Sequence, residues 1–318
     1  MDFLIFSKPA WLWVVFFAVV LVLVVLDLGV FQRKNSEALT VRQSLRYSAF
    51  YITMGVLFGG FVWAELGAAQ AKDYWTGFII EKSLSMDNLF VISLVFSYFS
   101  IPTRHQYRVL FWGVIGVIIL RGLLIGIGAE LVEDFDWVLD VFAAFLIFTG
   151  IKMLRSGDDE HDVENNFMLR FFKKHMRITP ELHGKKFFVR LRNATTEKMQ
   201  IWVTPLFVSL LVVEFVDLIF AMDSVPAIFA VTTDEYVVFT SNVFAILGLR
   251  ALYFALSAML YRFKYLNYSL AAVLIFIGGK VFAADFLGWE KFPSGLSLLI
   301  TVSILAAGVI YSLYKTKK

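Results

Sequence analysis

The segment LVVEFVDLIFAMDSVPAIFAV (211–231) is apolar enough to span a bilayer, yet it contains three carboxylates, Glu214, Asp217 and Asp223. A carboxylate near the bilayer centre costs about 2.5–3.5 kcal/mol on insertion scales. Three in one span therefore need partners, water or a bound cation to offset that cost. The segment predicts a membrane helix that contributes charged groups to a buried site.

A second segment, GFIIEKSLSMDNLFVIS (77–93), resembles the first. In each segment two acids lie six residues apart, and a methionine precedes the second acid. The matching residues are Glu81, Met86 and Asp87 in one segment and Asp217, Met222 and Asp223 in the other. Downstream, GVIILRGLL around Arg121 resembles AILGLRALY around Arg250. Further on, AFLIFTGIKML (144–154) resembles AVLIFIGGKVF (272–282), so three similar blocks recur in the same order and indicate an internal repeat.

The composition of the 318-residue chain indicates an integral membrane protein. Hydrophobic residues make up 59% and charged residues 17% of the chain, and its mean hydropathy is +0.74, well outside the averages for soluble domains. The absence of cysteine excludes disulfide frameworks and thiolate metal sites. No basic tract predicts a nucleic-acid partner, and no HExxH, GxSxG or P-loop motif predicts an enzyme. Paired membrane aspartates would suit aspartyl proteolysis, but the additional acids and the repeat argue against it.

Hydropathy predicts an all-α polytopic protein that forms a single transmembrane domain over residues 1–318. We expect nine spans, at residues 10–31, 44–66, 76–99, 107–130, 137–154, 200–229, 236–260, 266–287 and 295–314. The loops between them alternate between basic and acidic composition. The positive-inside rule therefore predicts an outside amino terminus, with the carboxyl terminus and the long connection at 155–199 in the cytoplasm.

The repeat relates spans three to five (repeat A, 76–154) to spans six to eight (repeat B, 200–287). An offset of three spans gives the two copies opposite orientations, and the remaining spans are accessory helices at 10–31, 44–66 and 295–314. Inverted repeats are frequent in secondary transporters, whose binding sites lie near the midplane between the copies. In the connection at 155–199, residues 166–176 fit either a short amphipathic surface helix or a loop.

If the two repeats face each other, their polar residues form one oxygen-rich site. Hard divalent cations such as Mg²⁺, Ca²⁺ and Mn²⁺ prefer such oxygens. The candidate metal-binding residues are Glu81, Asp87, Asn88, Glu214, Asp217, Asp223 and Ser224. Five acids exceed what one ion needs, so some would be protonated, paired with a basic side chain or used in a proton relay. Pro226 favours a kink or local unwinding near residues 222–224, because it removes a helical hydrogen bond.

Other polar residues are candidates for supporting roles. The candidate counter-ions or relay residues are Asp27, Lys82, Arg121 and Arg250, and the candidate accessory ligands are Met86, Met222 and Asn242. Asp27 fits a structural ion pair as well as a functional role. Arg121 and Arg250 fit counter-ions inside the bundle better than substrate contacts. A methionine thioether would favour a transition metal over Ca²⁺, although methionine in a membrane helix usually only packs.

The segments EKSLSMDNLFV (81–91), VEFVDLIFAMDSVPAIFAVTTD (213–234) and FTSNVFAILGLRALYF (239–254) carry a specific resemblance. With FFVR (187–190) and the TPL before the sixth span, they resemble the TerC family of integral membrane proteins, and within it the Alx-like branch. The resemblance extends over nearly the whole chain.

This resemblance implies a protein of the bacterial inner membrane, linked to tellurite resistance by the family name, to the alkaline-pH response in the Alx-like branch and to manganese export. It implies that Glu81, Asp87, Glu214, Asp217 and Asp223 handle the metal. A carboxylate-lined site would repel an oxyanion such as tellurite. We therefore expect export of Mn²⁺ by alternating access, driven by inward proton flow, with the lipid bilayer as the surrounding partner and no permanently bound cofactor. The alternative is a non-transporting metal or pH sensor, or a scaffold that acts through partners.

Overall fold

The computed structural model describes residues 4–5, 8–33, 40–135, 137–155, 176–192, 199–256, 265–287, 289 and 292–316. The helices in these residues are α1 (Ala10–Arg33), α2 (Val41–Leu66), α3 (Ala68–Tyr98), α4 (Thr103–Asp134), α5 (Trp137–Arg155), α6 (Pro205–Phe229), α7 (Glu235–Ile246), α8 (Leu249–Leu256), α9 (Leu266–Leu287) and α10 (Ser294–Lys315). Two antiparallel hairpins consist of β1 (Leu4–Ile5) with β2 (Lys8–Pro9), and β3 (Phe188–Arg192) with β4 (Met199–Val203). The helices confirm the predicted all-α membrane architecture. The hypothetical surface helix at 166–176 lies outside the described residues apart from Met176.

Seven helical stretches in the described residues are long and apolar enough to cross a membrane. They are 10–27, 41–66, 103–134, 137–155, 205–229, 235–255 and 295–315. A shorter apolar stretch, Tyr268–Ala284, lies in α9. Helix α3 is 31 residues long but carries the charged residues Glu81, Lys82 and Asp87 in its central part. Seven of the nine predicted spans are thus supported, and the full count stays a prediction.

Two sequence predictions within repeat B are wrong. The sixth span was expected at 200–229, but its helix begins at Pro205, because residues 199–203 pair with β3 as an antiparallel strand. Proline suits the first turn of a helix, where its missing N–H would have no partner anyway. The local unwinding near residues 222–224, one of the two effects predicted for Pro226, is absent, since α6 stays helical through this stretch, whereas the kink stays a prediction.

The seventh predicted span, 236–260, is interrupted between α7 and α8. Gly248 lies at the break with a φ of +82°, a conformation that costs a non-glycine residue energy. A Cβ on Gly248 would also lie 2.5 Å from Cβ of Tyr51 in α2. The break therefore depends on glycine for both its backbone conformation and its packing.

Helix α3 lies in the middle of the bundle and packs against α2, α6, α7 and α10. Its residues Phe78, Ile80 and Leu89 each belong to a different apolar cluster. Its polar residues Glu81 and Asn88 are buried among these clusters, with 0% and 3% exposure. Glu81 and Asn88, two of the predicted site residues, therefore lie in the interior rather than towards lipid.

Helices α5 and α9 approach each other through a reciprocal pair of glycines. A Cβ on Gly150 would lie 2.8 Å from the carbonyl oxygen of Ala271, and a Cβ on Gly278 would overlap the carbonyl oxygen of Ala143. Gly150 and Gly278 hold equivalent positions in the repeated blocks, as do the two alanines. Such a reciprocal contact is the form expected of two copies related by a two-fold axis. It agrees with the inverted repeat, which stays a prediction.

Replacing Gly278 by alanine is expected to lower the free energy of unfolding by about 1–3 kcal/mol, because the added methyl group would force two helix backbones apart. Gly279→Ala is the matched control, since a Cβ at that position meets no atom within 4 Å. Thermal unfolding in detergent, followed by circular dichroism, measures both variants. Equal midpoints for the two variants would contradict the close approach of α5 and α9.

Candidate functional site

Arg121 of α4 lies at the centre of the buried polar residues, with 1% of its surface exposed. Its Nη1 forms an ion pair with Oε1 of Glu81 on α3 at 2.5 Å. Its Nε and Nη2 donate to the two carboxylate oxygens of Asp217 on α6, at 3.3 and 3.2 Å. A guanidinium binds a carboxylate most strongly through such a fork of two parallel hydrogen bonds. Arg121 thus links one acid from each predicted repeat.

Two neutral side chains also accept hydrogen bonds from Arg121. Nη1 donates to Oγ of Ser224 at 3.1 Å and to Oδ1 of Asn242 on α7 at 2.6 Å. Because Nη1 carries only two hydrogens, the carboxylate and these two oxygens compete for them. The cluster therefore offers more acceptors than this nitrogen can satisfy.

Some buried atoms of the cluster have no hydrogen-bond partner among the described residues. Oε1 of Glu81 accepts from Oγ of Ser85 at 3.0 Å, and Nδ2 of Asn88 donates to Oδ1 of Asp217 at 3.1 Å. In contrast, Oε2 of Glu81, Oδ1 of Asn88 and Nδ2 of Asn242 are unpartnered. An unsatisfied buried polar group costs about 1–3 kcal/mol. The two free oxygens mark a place where a donor or a cation would be stabilising.

Glu214 lies one turn before Asp217 on α6, and its carboxylate fits against two glycines of α4. Both carboxylate oxygens are buried without a partner among the described residues. A Cβ on Gly113 would lie 3.7 Å from Oε1 of Glu214, and a Cβ on Gly116 would lie 2.5 Å from its Cδ. The glycines therefore leave the space that the carboxylate occupies. A carboxylate in such surroundings needs a proton or a cation.

The described charges at this site are unbalanced towards acids. They are three carboxylates and one guanidinium, from Glu81, Glu214, Asp217 and Arg121. Lys82 does not join them, because its Nζ donates to the carbonyl oxygens of Ala245 and Leu247, at 2.9 and 3.3 Å, at the carboxyl end of α7 where carbonyls lack helical partners. Among the described side chains, no three acids or histidines lie close enough together to hold a metal ion.

A second charged pair lies near this cluster. Nη2 of Arg250 forms an ion pair with the carboxylate of Asp27 on α1, and the guanidinium lies 3.9 Å from the ring centroid of Tyr107. An aromatic face attracts a cation at that distance. A cavity of about 40 Å³ is lined by Arg250, Asp217 and Asn88 together with ten residues that are aliphatic or glycine. The space between the two charged groups is therefore large enough to hold a water molecule.

The structure brings together six of the residues predicted for the site, namely Glu81, Asn88, Arg121, Asp217, Ser224 and Asn242. Glu214 lies beside Asp217 in the sequence of α6 but contacts the α4 glycines. Asp27 and Arg250 form their own pair, and Lys82 binds backbone. The remaining predicted side chains lie outside the described part of the structure, and they are Met86, Asp87, Met222 and Asp223.

Three residues of the site were not predicted. Ser85 follows Glu81 by four residues and so shares its helical face. Gly113 and Gly116 are three residues apart and also share a face, which faces Glu214. Their spacing is visible in the sequence, but nothing in the sequence says which helix packs against them.

The fold and the buried cluster define a polytopic integral membrane protein with a charged interior site. The chain belongs to the TerC family, because the sequence profile described as "Integral membrane protein TerC family" matches residues 66–318. This match confirms the resemblance seen in the segments around Glu81 and Asp217.

Relatives match the chain over nearly its whole length. An "Uncharacterized membrane protein" of Rickettsia bellii (strain RML369-C) is 44% identical over 303 residues, which cover 95% of this chain and 97% of the relative. The membrane protein STKORF319 of Myxococcus xanthus is 40% identical over 306 residues, covering 96% and 93%. Alx of Escherichia coli (strain K12), whose name proposes a membrane-bound redox modulator, is 42% identical over 302 residues, covering 92% and 91%. No solved structure matches the chain.

Proposed function

We propose that this protein exports a divalent cation, Mn²⁺ above all, from the cytoplasm by alternating access, with protons moving inward. The observation that carries the proposal is a set of four buried acceptor oxygens that have no donor among the described residues. They are Oε2 of Glu81, Oδ1 of Asn88 and both carboxylate oxygens of Glu214. A cation is the ligand that satisfies several such oxygens at once and balances the excess of carboxylates.

The chemistry of these oxygens favours a hard divalent ion. Carboxylate and carbonyl oxygens suit Mg²⁺, Ca²⁺ and Mn²⁺. The methionines Met86 and Met222 each precede an aspartate of the repeated motif, and a thioether ligand would favour Mn²⁺ within this group. This preference rests on the sequence, since both side chains lie outside the described part of the structure.

Two features favour transport over permanent binding. The first is the excess of buried carboxylates, which can take up either a proton or a cation. The reciprocal contact of α5 and α9 supports two oppositely oriented halves, the arrangement used for alternating access. By the positive-inside rule, the carboxyl terminus faces the cytoplasm of a bacterial inner membrane, and outward movement of the ion would then be export.

The test is Mn²⁺ flux into proteoliposomes that contain the purified protein. Glu214→Gln is expected to reduce the flux about tenfold or more, because removing a charged ligand interaction costs about 1.5–3 kcal/mol. Glu130→Gln is the matched control, since Glu130 is an exposed acid near the end of α4. Proton coupling predicts that Mn²⁺ drives proton movement, and that this movement is also lost in Glu214→Gln. No flux under any imposed pH gradient would reject transport.

A second candidate function is a membrane sensor or scaffold that acts through partners. It is favoured by the β3–β4 hairpin, whose exposed side chains include Phe188, Arg190, Met199 and Ile201 and which lies in the connection assigned to the cytoplasm. Because the chain has no cysteine, a modulator role like that named for Alx would not use thiol chemistry of this chain. Cellular manganese separates the two functions. Transport requires the acids, whereas a scaffold requires the hairpin and tolerates Glu214→Gln.

A further inference from the structure

Arg121 and Arg250 occupy equivalent positions in the repeat but lie in different surroundings. Both follow a glycine–leucine-rich stretch, in GVIILRGLL and AILGLRALY. Arg121 lies inside the acidic cluster. Arg250 turns to Asp27, which belongs to α1 and therefore to neither repeat. The pseudo-symmetry of the two halves is thus broken at these two side chains.

Arg121 stands where a cation would be expected. Its guanidinium binds Glu81, Asp217, Ser224 and Asn242, which are oxygen ligands from three helices. A metal ion bound to the free Oε2 of Glu81 would lie close to this guanidinium, and the two positive charges would repel each other. The arginine and the ion therefore compete for the same acids.

Arg250 is placed so that it could reach the same acids. Its guanidinium is buried, with Nη1 lacking a hydrogen-bond partner among the described residues. It lines the 40 Å³ cavity together with Asp217 and Asn88. On the other side it is held by the Asp27 carboxylate and by the ring of Tyr107. Arg250 and one acid of the cluster thus border the same space.

We infer that Arg121 and Arg250 occupy the acidic cluster in turn. Arg121 occupies it in the conformation of this structure, in which Asp27 holds Arg250 away. Arg250 occupies it in the conformation that is open to the opposite side of the membrane. Inverted repeats exchange their conformations when the transporter changes its open side. Equivalent arginines should then exchange their places. Either arginine would neutralise the acids while no metal is bound, and would allow the empty protein to change conformation. The transport step of this inference rests on the proposed function.

The first experiment needs no metal and uses the full-length protein in detergent. Thermal unfolding is compared for Arg121→Gln, Arg250→Gln and the double variant. If Arg250 replaces Arg121 when Arg121 is missing, the double variant loses more stability than the two single variants together. Two separate, fixed ion pairs would instead give additive losses, and additivity would overturn the inference. Arg121→Gln combined with Lys280→Gln is the control, since Lys280 is a buried cation that donates to Ser297, and this pair should be additive.

The second experiment titrates the same proteins with Mn²⁺. The double variant Arg121→Gln/Arg250→Gln is expected to bind Mn²⁺ about tenfold more tightly, because it removes both competitors with a coupling of ordinary size, and Lys280→Gln should bind like the unmodified protein. Arg121→Gln alone should gain less affinity, because Arg250 takes its place. Asp27→Asn should weaken Mn²⁺ binding, because it releases Arg250 towards the acids. Unchanged affinity in both the double variant and Asp27→Asn would overturn the competition.

Together the experiments separate this inference from the function on which it builds. If the stability losses of the arginine variants are non-additive but the unmodified protein does not bind Mn²⁺, the exchange of arginines is supported and the proposed substrate is rejected. If the unmodified protein binds Mn²⁺ but the stability losses are additive, the substrate is supported and the exchange of arginines is rejected. If Arg121→Gln does not fold, Asp27→Asn alone decides, because its altered side chain lies outside the acidic cluster.

Discussion

Replacing Asp217 by asparagine is expected to lower the free energy of unfolding by about 1.5–3 kcal/mol, because it removes a charge-assisted pair of hydrogen bonds between Arg121 and a carboxylate. Asp217 receives hydrogen bonds from Nε and Nη2 of Arg121 and from Nδ2 of Asn88. Asparagine has one acceptor oxygen and no charge, so it cannot replace the fork to the guanidinium. Thermal or denaturant unfolding in detergent gives the difference.

The control for Asp217→Asn is Glu133→Gln, which removes one carboxylate from an exposed position near the end of α4. It should change the stability by less than about 0.5 kcal/mol, as exposed substitutions usually do. Adding Arg121→Gln to Asp217→Asn should cost less than the sum of the two changes, because both changes remove the same pair of hydrogen bonds. A wild-type midpoint for Asp217→Asn would show that the fork contributes nothing to stability.

The positions of most helices follow from hydropathy alone. Helices α1, α2, α4 and α5 lie close to the spans predicted at 10–31, 44–66, 107–130 and 137–154. A long apolar run in lipid must satisfy its backbone hydrogen bonds internally, and a helix does so within one segment. Such runs therefore form helices whichever segments pack beside them.

The errors occurred where a tertiary contact decides the backbone. The residues before Pro205 are apolar and were assigned to the sixth span, but pairing with β3 makes them a strand. Gly248 lies in an apolar run and gives no local sign of a break. It has a positive φ and packs closely against Tyr51, and that contact cannot be foreseen from one segment.

The residues of the candidate site could be predicted from the sequence, but the different surroundings of its two equivalent arginines could not. The cost of a carboxylate in a membrane identified Glu81 and Asp217 as residues that need partners, and Arg121 lies between them. The two repeats carry the same arginine, so the sequence treats Arg121 and Arg250 alike. What separates them is Asp27 on α1, and only the structure places that helix beside one copy.

Gly116→Ala is expected to reduce Mn²⁺ flux about tenfold or more, as Glu214→Gln does, while leaving the charge of the protein unchanged. A Cβ at Gly116 would lie 2.5 Å from Cδ of Glu214, so the carboxylate must leave its place against α4. Because the obstacle is the end of a flexible side chain, the stability should change little. Alanine in a helix also gains about 0.8–1 kcal/mol over glycine, which offsets part of the cost of the displaced carboxylate.

Gly126→Ala is the matched control, since it adds the same methyl group to the same helix at a position with no atom within 4 Å. Flux in proteoliposomes and thermal unfolding in detergent should be measured for both variants. A normal midpoint with lost flux in Gly116→Ala, beside normal flux in Gly126→Ala, assigns the loss to the position of the Glu214 carboxylate. Normal flux in Gly116→Ala would mean that this position does not matter for transport. A further test follows from combining Gly116→Ala with Glu214→Gln. Because both changes act on one carboxylate, the double variant should transport no worse than the slower single variant.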